Sequence, residues 1–411
     1  MTLVDRFLAR AVRRGRLTAI HPDGSRATFG TSDPDLPDVT IRFADRGAER
    51  AVLLDPALGA GEMFTAGRLL VEQGEIWDLV RLIKASNAWE RGGSALKSGP
   101  GRSLGELRYR FDRYNWRRRS RRNVAHHYDL GTDFYSLFLD DDLQYSCAYF
   151  TDPAHSLERA QADKKAHIAA KLLLEPGMRV LDIGCVWGGL ALFLHRQTGA
   201  EVLGITLSTE QLAVARARAD AAGVAGKVRF ELLDYRELGG PDTAGGFDRI
   251  VSVGMFEHVG PPHYRRFFAR CRDLLAEDGA MLLHTIGRMG KPGVTDAWTA
   301  KHIFPGGYNP ALSEIVRGYE GLRLFPTDVE VLRLHYAWTI RHWYARTVAA
   351  RERIVALYDE RFYRMWTFYL AGAAAAFEFG GLCNYQIQLA RGRHVVPVTR
   401  DYLGEAEATL R

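Results

Sequence analysis

The sequence predicts an α/β protein whose main domain is a parallel sheet covered on both faces by helices. Three observations carry that expectation. Between residues 157 and 290, apolar runs of strand length alternate with segments of helical period. A tight glycine turn, Val180-Leu-Asp-Ile-Gly-Cys-Val-Trp-Gly-Gly189, joins one such strand to the helix that follows it. Hydrophobic residues make up 47% of the 411 and charged residues 25%, which excludes a disordered chain and supplies a large core. The length allows two or three domains.

The elements follow in order. In residues 1 to 90, His21-Pro-Asp-Gly24 reads as a tight turn between short strands. Leu69, Leu70, Ile76, Leu79, Val80, Leu82 and Ile83 read as short amphipathic helices. Residues 91 to 122 are rich in Gly, Ser and Arg and read as a linker. Ser156 to Leu174 is a helix ended by Pro176-Gly177, Met178 to Ile183 a strand, and Leu190 to Gln197 a helix. Glu201 to Ile205 is a strand, and Ser208 caps a helix running to Ala222. Val228 to Leu233, Asp248 to Val253 and Ala280 to Ile286 are further strands, the last two separated by a helix at Pro262 to Leu275. A strand after residue 322, aromatic-rich helices from Trp338 to Phe379 and a strand at Tyr385 to Leu389 complete the pattern.

Charge is distributed unevenly. Residues 108 to 122 hold eight arginines against Asp112, a local +7, so the rest of the chain carries −1 of the net +6. Such a patch attracts a polyanionic surface. From charge alone a membrane, a nucleic acid and a solvated linker stand level. Tyr114 and Trp116 inside the patch suit a lipid headgroup interface. Arginines 6, 10, 13, 14 and 16 break up the N-terminal apolar run, which excludes a signal peptide there. Tyr369 to Cys383 is too short to span a bilayer and carries Glu378. The cysteines at 147, 185, 271 and 383 have no C-x-x-C spacing, which favours a reducing compartment and argues against zinc; His126-His127 has no partner at ligand spacing, so no metal is expected.

The glycine turn after Asp182 lets a ligand approach the backbone at a strand's carboxyl end, yet it lacks the G-x-G-x-x-G of dinucleotide folds. It resembles motif I of class I S-adenosylmethionine (SAM) methyltransferases, in which that carboxylate anchors the cofactor's amino-acid end. Thr206, Ser208 and Gln211 after the second strand are candidate hydrogen-bonding partners for ribose and amino acid. Asp234, with Tyr235, stands after the third strand, where such enzymes hold adenine. Each of these residues, taken alone, reads equally well as a cap or turn residue.

Four more motifs make the resemblance specific: His127-Tyr-Asp-Leu-Gly131, Gln144-Tyr-Ser-Cys-Ala-Tyr-Phe150, Gly254-Met-Phe-Glu-His-Val-Gly260 and Leu282-Leu-His-Thr-Ile-Gly287. In this order around motif I, residues 120 to 392 resemble the cyclopropane-fatty-acyl-phospholipid synthase family, which includes the mycolic acid cyclopropane synthases. The resemblance implies a Rossmann-like class I SAM methyltransferase sheet with helical lipid-pocket insertions over 123–411, after a smaller N-terminal α+β lipid-binding domain at 1–90 and a basic linker at 91–122. It implies methylene addition from SAM to a cis double bond of a phospholipid acyl chain. Two other outcomes stay open: a methylene- or methyl-branched chain from the same methyl transfer, and a catalytically impaired lipid-binding homologue.

By the same resemblance, bicarbonate is the general base, held by Cys147, Glu257, His284, Ile286 and Tyr336. Cys147 and Ile286 are expected to offer backbone N–H groups and His284 and Tyr336 side-chain donors, while Glu257 accepts from the ion's hydroxyl. The cofactor residues it implies are Tyr145, Ser146, Asp182, Gly184, Gly188, Thr206, Ser208, Gln211, Asp234 and Tyr235. Tyr145, Tyr149, Phe150, Trp187, Phe256 and Tyr336 are the aromatic faces available to a cation. The expected partners are a bilayer of unsaturated phospholipid and a second copy of the chain, without nucleic acid. The expected location is cytoplasmic, at the inner membrane face. One residue departs from the family pattern: Val186 stands where it has glycine. Valine resists positive φ, so the turn tolerates it only at negative φ with the side chain turned into the sheet; otherwise cofactor affinity falls.

Overall fold

The computed structural model describes residues 1–92, 130–238 and 246–410. The basic segment 108–122, His126-His127 and the start of the His127–Gly131 motif lie outside the described residues. The described residues group into two compact units.

The first unit contains the chain up to Gly92 together with Val294–Pro305 and Ala337–Leu382. Its sheet has the order β2-β1-β3-β4, from β1 (Gly15–Ile20), β2 (Arg26–Thr31), β3 (Val39–Phe43) and β4 (Leu69–Gln73). β1 and β2 form an antiparallel hairpin whose turn is closed by the Gly24 N–H donating to the His21 carbonyl at 2.9 Å. The apolar spacing reads Leu69 and Leu70 as helical, but the structure places them on β4, paired with Phe43 and Arg42 of β3. Pairing decides here, since a short apolar run fits either period. The rest of that run forms the helix Ile76–Ala85. Asp45 and Asp55 start the helices Arg46–Leu54 and Pro56–Thr65 by accepting from the Ala48 and Leu58 amides. The aromatic-rich segment forms the helices His335–Ala349, Arg351–Leu357 and Glu360–Glu378. The last packs on Ile76–Ala85, and Arg81 bonds Glu378 across that contact at 2.9 Å.

The second unit contains Gly306–Tyr336, residues 383–410 and the described residues from Leu130 to Gly293. Its sheet runs β10-β11-β9-β8-β5-β6-β7, from β5 (Arg179–Ile183), β6 (Glu201–Thr206), β7 (Val228–Leu232), β8 (Phe247–Val253), β9 (Leu275–Arg288), β10 (Phe325–Leu332) and β11 (Leu382–Ala390). The pairs β5–β6, β6–β7, β5–β8 and β8–β9 are parallel, and β10–β11 is antiparallel. The helix Leu157–Leu172 leads into β5, and Gly189–Thr198, Thr209–Ala221 and Tyr264–Leu274 supply the crossovers β5–β6, β6–β7 and β8–β9. Alternation along the strands divides the core in two: Met281 and Leu283 join one apolar cluster and Leu282 the other. Ser156 and Ser208 cap their helices as the sequence predicts, accepting from the Arg159 and Gln211 amides.

Several helices escape the sequence reading, among them Ala297–His302, Leu312–Tyr319 and Asp401–Leu410. The last packs on Leu157–Leu172, where the buried His167 bridges Glu330 and Glu407. Lys171, with no exposure, bonds Asp328 at 3.0 Å and also Glu330. Burial alone would raise the Glu330 carboxyl, but its bond to His167 and the charges of His167 and Lys171 hold it well below the usual range. A carboxyl depressed by folding stabilises above its unfolded pKa of about 4.3, and that stability is lost as pH falls towards the folded value. Lys171→Met removes the buried ammonium and leaves Glu330 with His167 and Asp328 with Arg400 as their remaining partners; it should cost up to about 3 kcal/mol in denaturant unfolding at pH 7. The loss should shrink toward pH 3.

Candidate active site

In the second unit the chain runs outward from β5 to β6 and β7 on one side, then to β8 and β9 on the other. The direction reverses between β5 and β8, and open α/β sheets bind ligands at the carboxyl ends flanking such a reversal. A cleft of about 1090 Å³, partly open to solvent, lies there. Its walls come from the ends of all four strands and from the Gln144–Ser146 segment.

Of the predicted cofactor residues, Tyr145, Ser146, Asp182, Gly184, Thr206, Gln211, Asp234 and Tyr235 line this cleft. Gly188 and Ser208 do not. Gly188 sits at φ +79°, where a Cβ would lie 2.6 Å from the Phe230 ring, so it serves helix–strand packing. Ser208 is occupied as a helix cap. Asp182 is 1% exposed, and its Oδ2 has no protein partner. Burial pushes this carboxyl up to about 7 against the opposing charge of Lys164. Gln211 Oε1 accepts from the Thr206 hydroxyl at 2.9 Å, and its Nε2 is left unpartnered. A buried acceptor and a buried donor in one cleft fit the ammonium and carboxylate of a bound amino acid. Asp234 is less free than the sequence implies. Arg236 clasps it through Nε at 2.8 Å and Nη2 at 2.5 Å, so its lone pairs are shared.

Val186 corrects the tolerant expectation. It lies at φ +44° and lines the cleft. The left-handed region costs a non-glycine residue about 1–2 kcal/mol, and β-branching adds crowding. Two residues earlier, Gly184 is also at positive φ, +88°, where a Cβ would stand 2.9 Å from the Met255 side chain.

The five residues predicted to hold a base lie outside the cleft lining but beside it. Glu257 is in the turn Phe256–His258, between the lining residues Met255 and His258. Its Oε1 accepts the Ile286 N–H at 2.6 Å and its Oε2 is buried without a protein partner. This corrects the role expected of Ile286: its amide donates to Glu257 and is not left for an ion. Burial pushes the Glu257 carboxyl up to about 7 despite that bond. His284, opposite Val253 in the β8–β9 pairing, lies with Nδ1 3.2 Å from Gln386 Nε2 and with Nε2 buried and unpartnered. Burial, helped by Lys164 and Lys171, keeps this imidazole well below its ordinary pKa and neutral. Cys147 is fully buried, and Tyr336 is buried at the start of the His335–Ala349 helix. The Phe150 N–H donates to His335 Nδ1 at 2.9 Å and so ties that helix start to the Cys147 segment.

The aromatic set divides. Tyr145 lines the cleft, whereas Tyr149 is stacked between His167 and His335 at centroid distances of 4.1 and 5.0 Å. Trp187 packs on Tyr135, and Phe256 stacks on Tyr264 in the core. Sequence reasoning missed Gln161, Lys164, Arg236, His258 and Gln386. The available signal was polar residues three apart on the inner face of an alanine-rich helix, Gln161 and Lys164. Among the described residues, no group of His, Cys, Asp and Glu is placed to hold a metal. No helix among them is long and apolar enough to cross a membrane.

A doubly wound sheet with an acidic strand end, a glycine turn and this donor set defines a class I SAM-dependent methyltransferase. The mycolic acid cyclopropane synthetase family profile matches residues 115–387. The Escherichia coli K12 cyclopropane-fatty-acyl-phospholipid synthase is 43% identical over 266 residues, covering 65% of this chain and 67% of that protein. The Mycobacterium tuberculosis tuberculostearic acid methyltransferase UfaA1 is 35% identical over 410 residues, covering 95% and 91%. The crystal structure of the mycolic acid cyclopropane synthase CmaA1 complexed with SAH and CTAB superposes with a TM-score of 0.61 at 33% identity, over 66% of this chain and 98% of that one. The chain belongs to the mycolic acid cyclopropane synthetase family and is a SAM-dependent methyltransferase acting on lipids.

The strain at Val186 has a measurable consequence. Val186→Gly should stabilise the protein by about 1 kcal/mol, the left-handed cost less the glycine entropy. It should also tighten SAH binding, as read by thermal melting and titration calorimetry.

Proposed function

We propose that this protein adds a methylene from SAM across the cis double bond of an unsaturated phospholipid acyl chain, giving a cyclopropane, with bound bicarbonate as the base. The observation that carries this reading is the pair of buried, unpartnered atoms beside the cofactor cleft, Glu257 Oε2 and His284 Nε2. One is an acceptor. The other becomes a donor when Gln386 donates to Nδ1 and leaves the proton on Nε2. An ion with both a hydroxyl and an anionic oxygen matches that pair.

Bound SAM supplies an electrophilic methyl on a sulfonium, and bound bicarbonate would supply the acceptor for a proton of the added methyl. The residues supply position and dryness. Asp182 takes the cofactor's ammonium, and Thr206 with Gln211 the polar groups beside it. Tyr145 presents an aromatic edge or face to positive charge, worth about 0.5–2 kcal/mol. An alkene is a weak nucleophile, so holding it against the methyl has to provide much of the rate; well-oriented pairs gain about 7–11 kcal/mol. Neutral His258 and His284, both held low by burial, add no positive charge to repel the cation left on the chain. The same reading places the enzyme on an anionic bilayer through its basic 108–122 segment, as a pair of identical chains.

A second reading has an observation of its own. The relative aligned over 95% of this chain carries the name of a fatty acid methyltransferase. In that case a hydride shift moves the carbocation to the methyl-bearing carbon, and loss of a proton there gives an exocyclic methylene or a methyl-branched alkene. Lipids from cells expressing the protein separate the two. Cyclopropane protons at high field in the NMR spectrum support the first, and exocyclic alkene or methyl-branch signals support the second. Unchanged lipid in the presence of SAM and vesicles would sink both.

Two outcomes test the base. Removing bicarbonate from the buffer should lower kcat, with recovery on adding it back. Because the accepting form of Glu257 is the ionised one and its carboxyl lies at about 7, kcat should fall as pH drops through 7. Glu257→Gln should remove that limb and cost about 10²–10³ in kcat.

A further inference from the structure

We propose that Lys164 is a positioning residue for the cofactor's carboxylate: by donating to the Ser146 hydroxyl oxygen from behind the cleft wall, it turns the hydroxyl hydrogen into the cleft as a donor to that anion. The inference rests on SAM dependence and is independent of the acyl substrate and of the bicarbonate reading.

The geometry begins with burial. Lys164 lies in the helix Leu157–Leu172 with no exposed surface. Its Nζ donates to Gln144 Oε1 at 2.6 Å and to Ser146 Oγ at 2.9 Å, and both residues line the cleft. One turn earlier Gln161 Nε2 donates to the Gln144 and Ser146 carbonyls, at 3.2 and 3.0 Å. Lys164 therefore meets two polar side chains whose backbone is already held by its own helix.

Donor and acceptor chemistry then sets the direction of each bond. An ammonium only donates, an amide oxygen only accepts, and a hydroxyl has one hydrogen and two acceptor sites. The Gln144 amide cannot turn over, because its Nε2 donates to Asp142 Oδ2 at 3.1 Å while its oxygen faces the ammonium. Ser146 gives an acceptor site to Lys164, so its hydrogen points elsewhere. Among the described residues Ser146 Oγ has no second hydrogen-bond partner, and the residue stands in the cleft wall.

Charge selects an anion for that hydrogen. Of the ionisable groups lining the cleft, Asp182 and Asp234 are acids, Arg236 is clasped by Asp234, and His258 is kept neutral by burial. A ligand carboxylate thus finds its positive charge one layer back, on the ammonium bonded to Ser146. Both acceptors of that ammonium are uncharged. Asp142 is engaged by Lys165 and Arg218, and Asp140 accepts the Gln144 amide. A hydroxyl polarised by a buried ammonium makes a stronger bond to a carboxylate than a hydroxyl alone. With Asp182 as the acceptor for the ligand's ammonium, the two ends of an amino acid are told apart.

The probes are S-adenosylhomocysteine and its decarboxylated analogue, in which hydrogen replaces the carboxylate, each followed by titration calorimetry. The wild type should bind S-adenosylhomocysteine at least about tenfold more tightly than the analogue, as expected of hydrogen bonds to a charged group. Lys164→Met and Ser146→Ala should each lose about tenfold for S-adenosylhomocysteine and less than about twofold for the analogue. The double variant should lose no more than the larger single loss, because the two residues act as one donor. Equal wild-type affinity for the two probes would overturn the proposal, whether or not the variants fold. So would a folded Lys164 variant that loses as much for the analogue as for S-adenosylhomocysteine, because a lysine that merely supports the wall treats both alike. Full additivity of the two substitutions would overturn it as well.

Discussion

The Lys164 ammonium is buried completely, and the second unit is arranged so that its charge is never left alone. Removing an ammonium from water costs several kcal/mol even after relaxation. The cost is met by hydrogen bonds that also fix the Gln144–Phe150 segment: Lys164 holds the side chains of Gln144 and Ser146, and Gln161 holds their carbonyls. His167 stacks on Tyr149 one turn further along the helix. One segment thus carries a cleft wall, at Tyr145 and Ser146, and Cys147 of the proposed base site. Their relative placement follows from a single helix face.

The electrostatics of the two regions are complementary. At the cleft, burial moves the Asp182 carboxyl up to about 7 and the Lys164 ammonium down to about 7. Beside it, His284 and His258 are kept neutral by burial and Glu257 is raised by it. Neutral imidazoles in buried surroundings suit chemistry that passes through a cation on a hydrocarbon chain. The left-handed Val186 in the cleft wall is a local cost borne by this frame. The turn keeps its shape because β5 and the following helix hold both of its ends.

Much of the second unit was legible in the sequence because its elements obey local rules. The strands at 179–183, 201–206, 228–232 and 247–253 lie within one residue of their apolar runs. Ser156 and Ser208 cap where the pattern places them. The cleft follows from Asp182 and the glycines after it, since only a strand–turn–helix leaves backbone open at a sheet's edge. Leu69 and Leu70 were not legible: a three-residue apolar run, Leu69 to Val71, has no period of its own, and pairing with Phe43 and Arg42 decided its state. The helix Asp401–Leu410 was hidden for a related reason: it buries few apolar residues, Leu403 among them, and is tied in through Glu407 to His167.

The sequence alone therefore determined the class of sheet, the order of the motifs and the family they resemble, because strand period, caps and glycine turns are properties of neighbouring residues. Only the tertiary structure decided which way each polar group is spent. It gave the Ile286 amide to Glu257, Arg236 to Asp234, a positive φ to Val186 and the Lys164 ammonium to Gln144 and Ser146. Hydrogen bonds and burial join residues tens of positions apart, and a desolvated charge takes its value from everything around it, which no local spacing records.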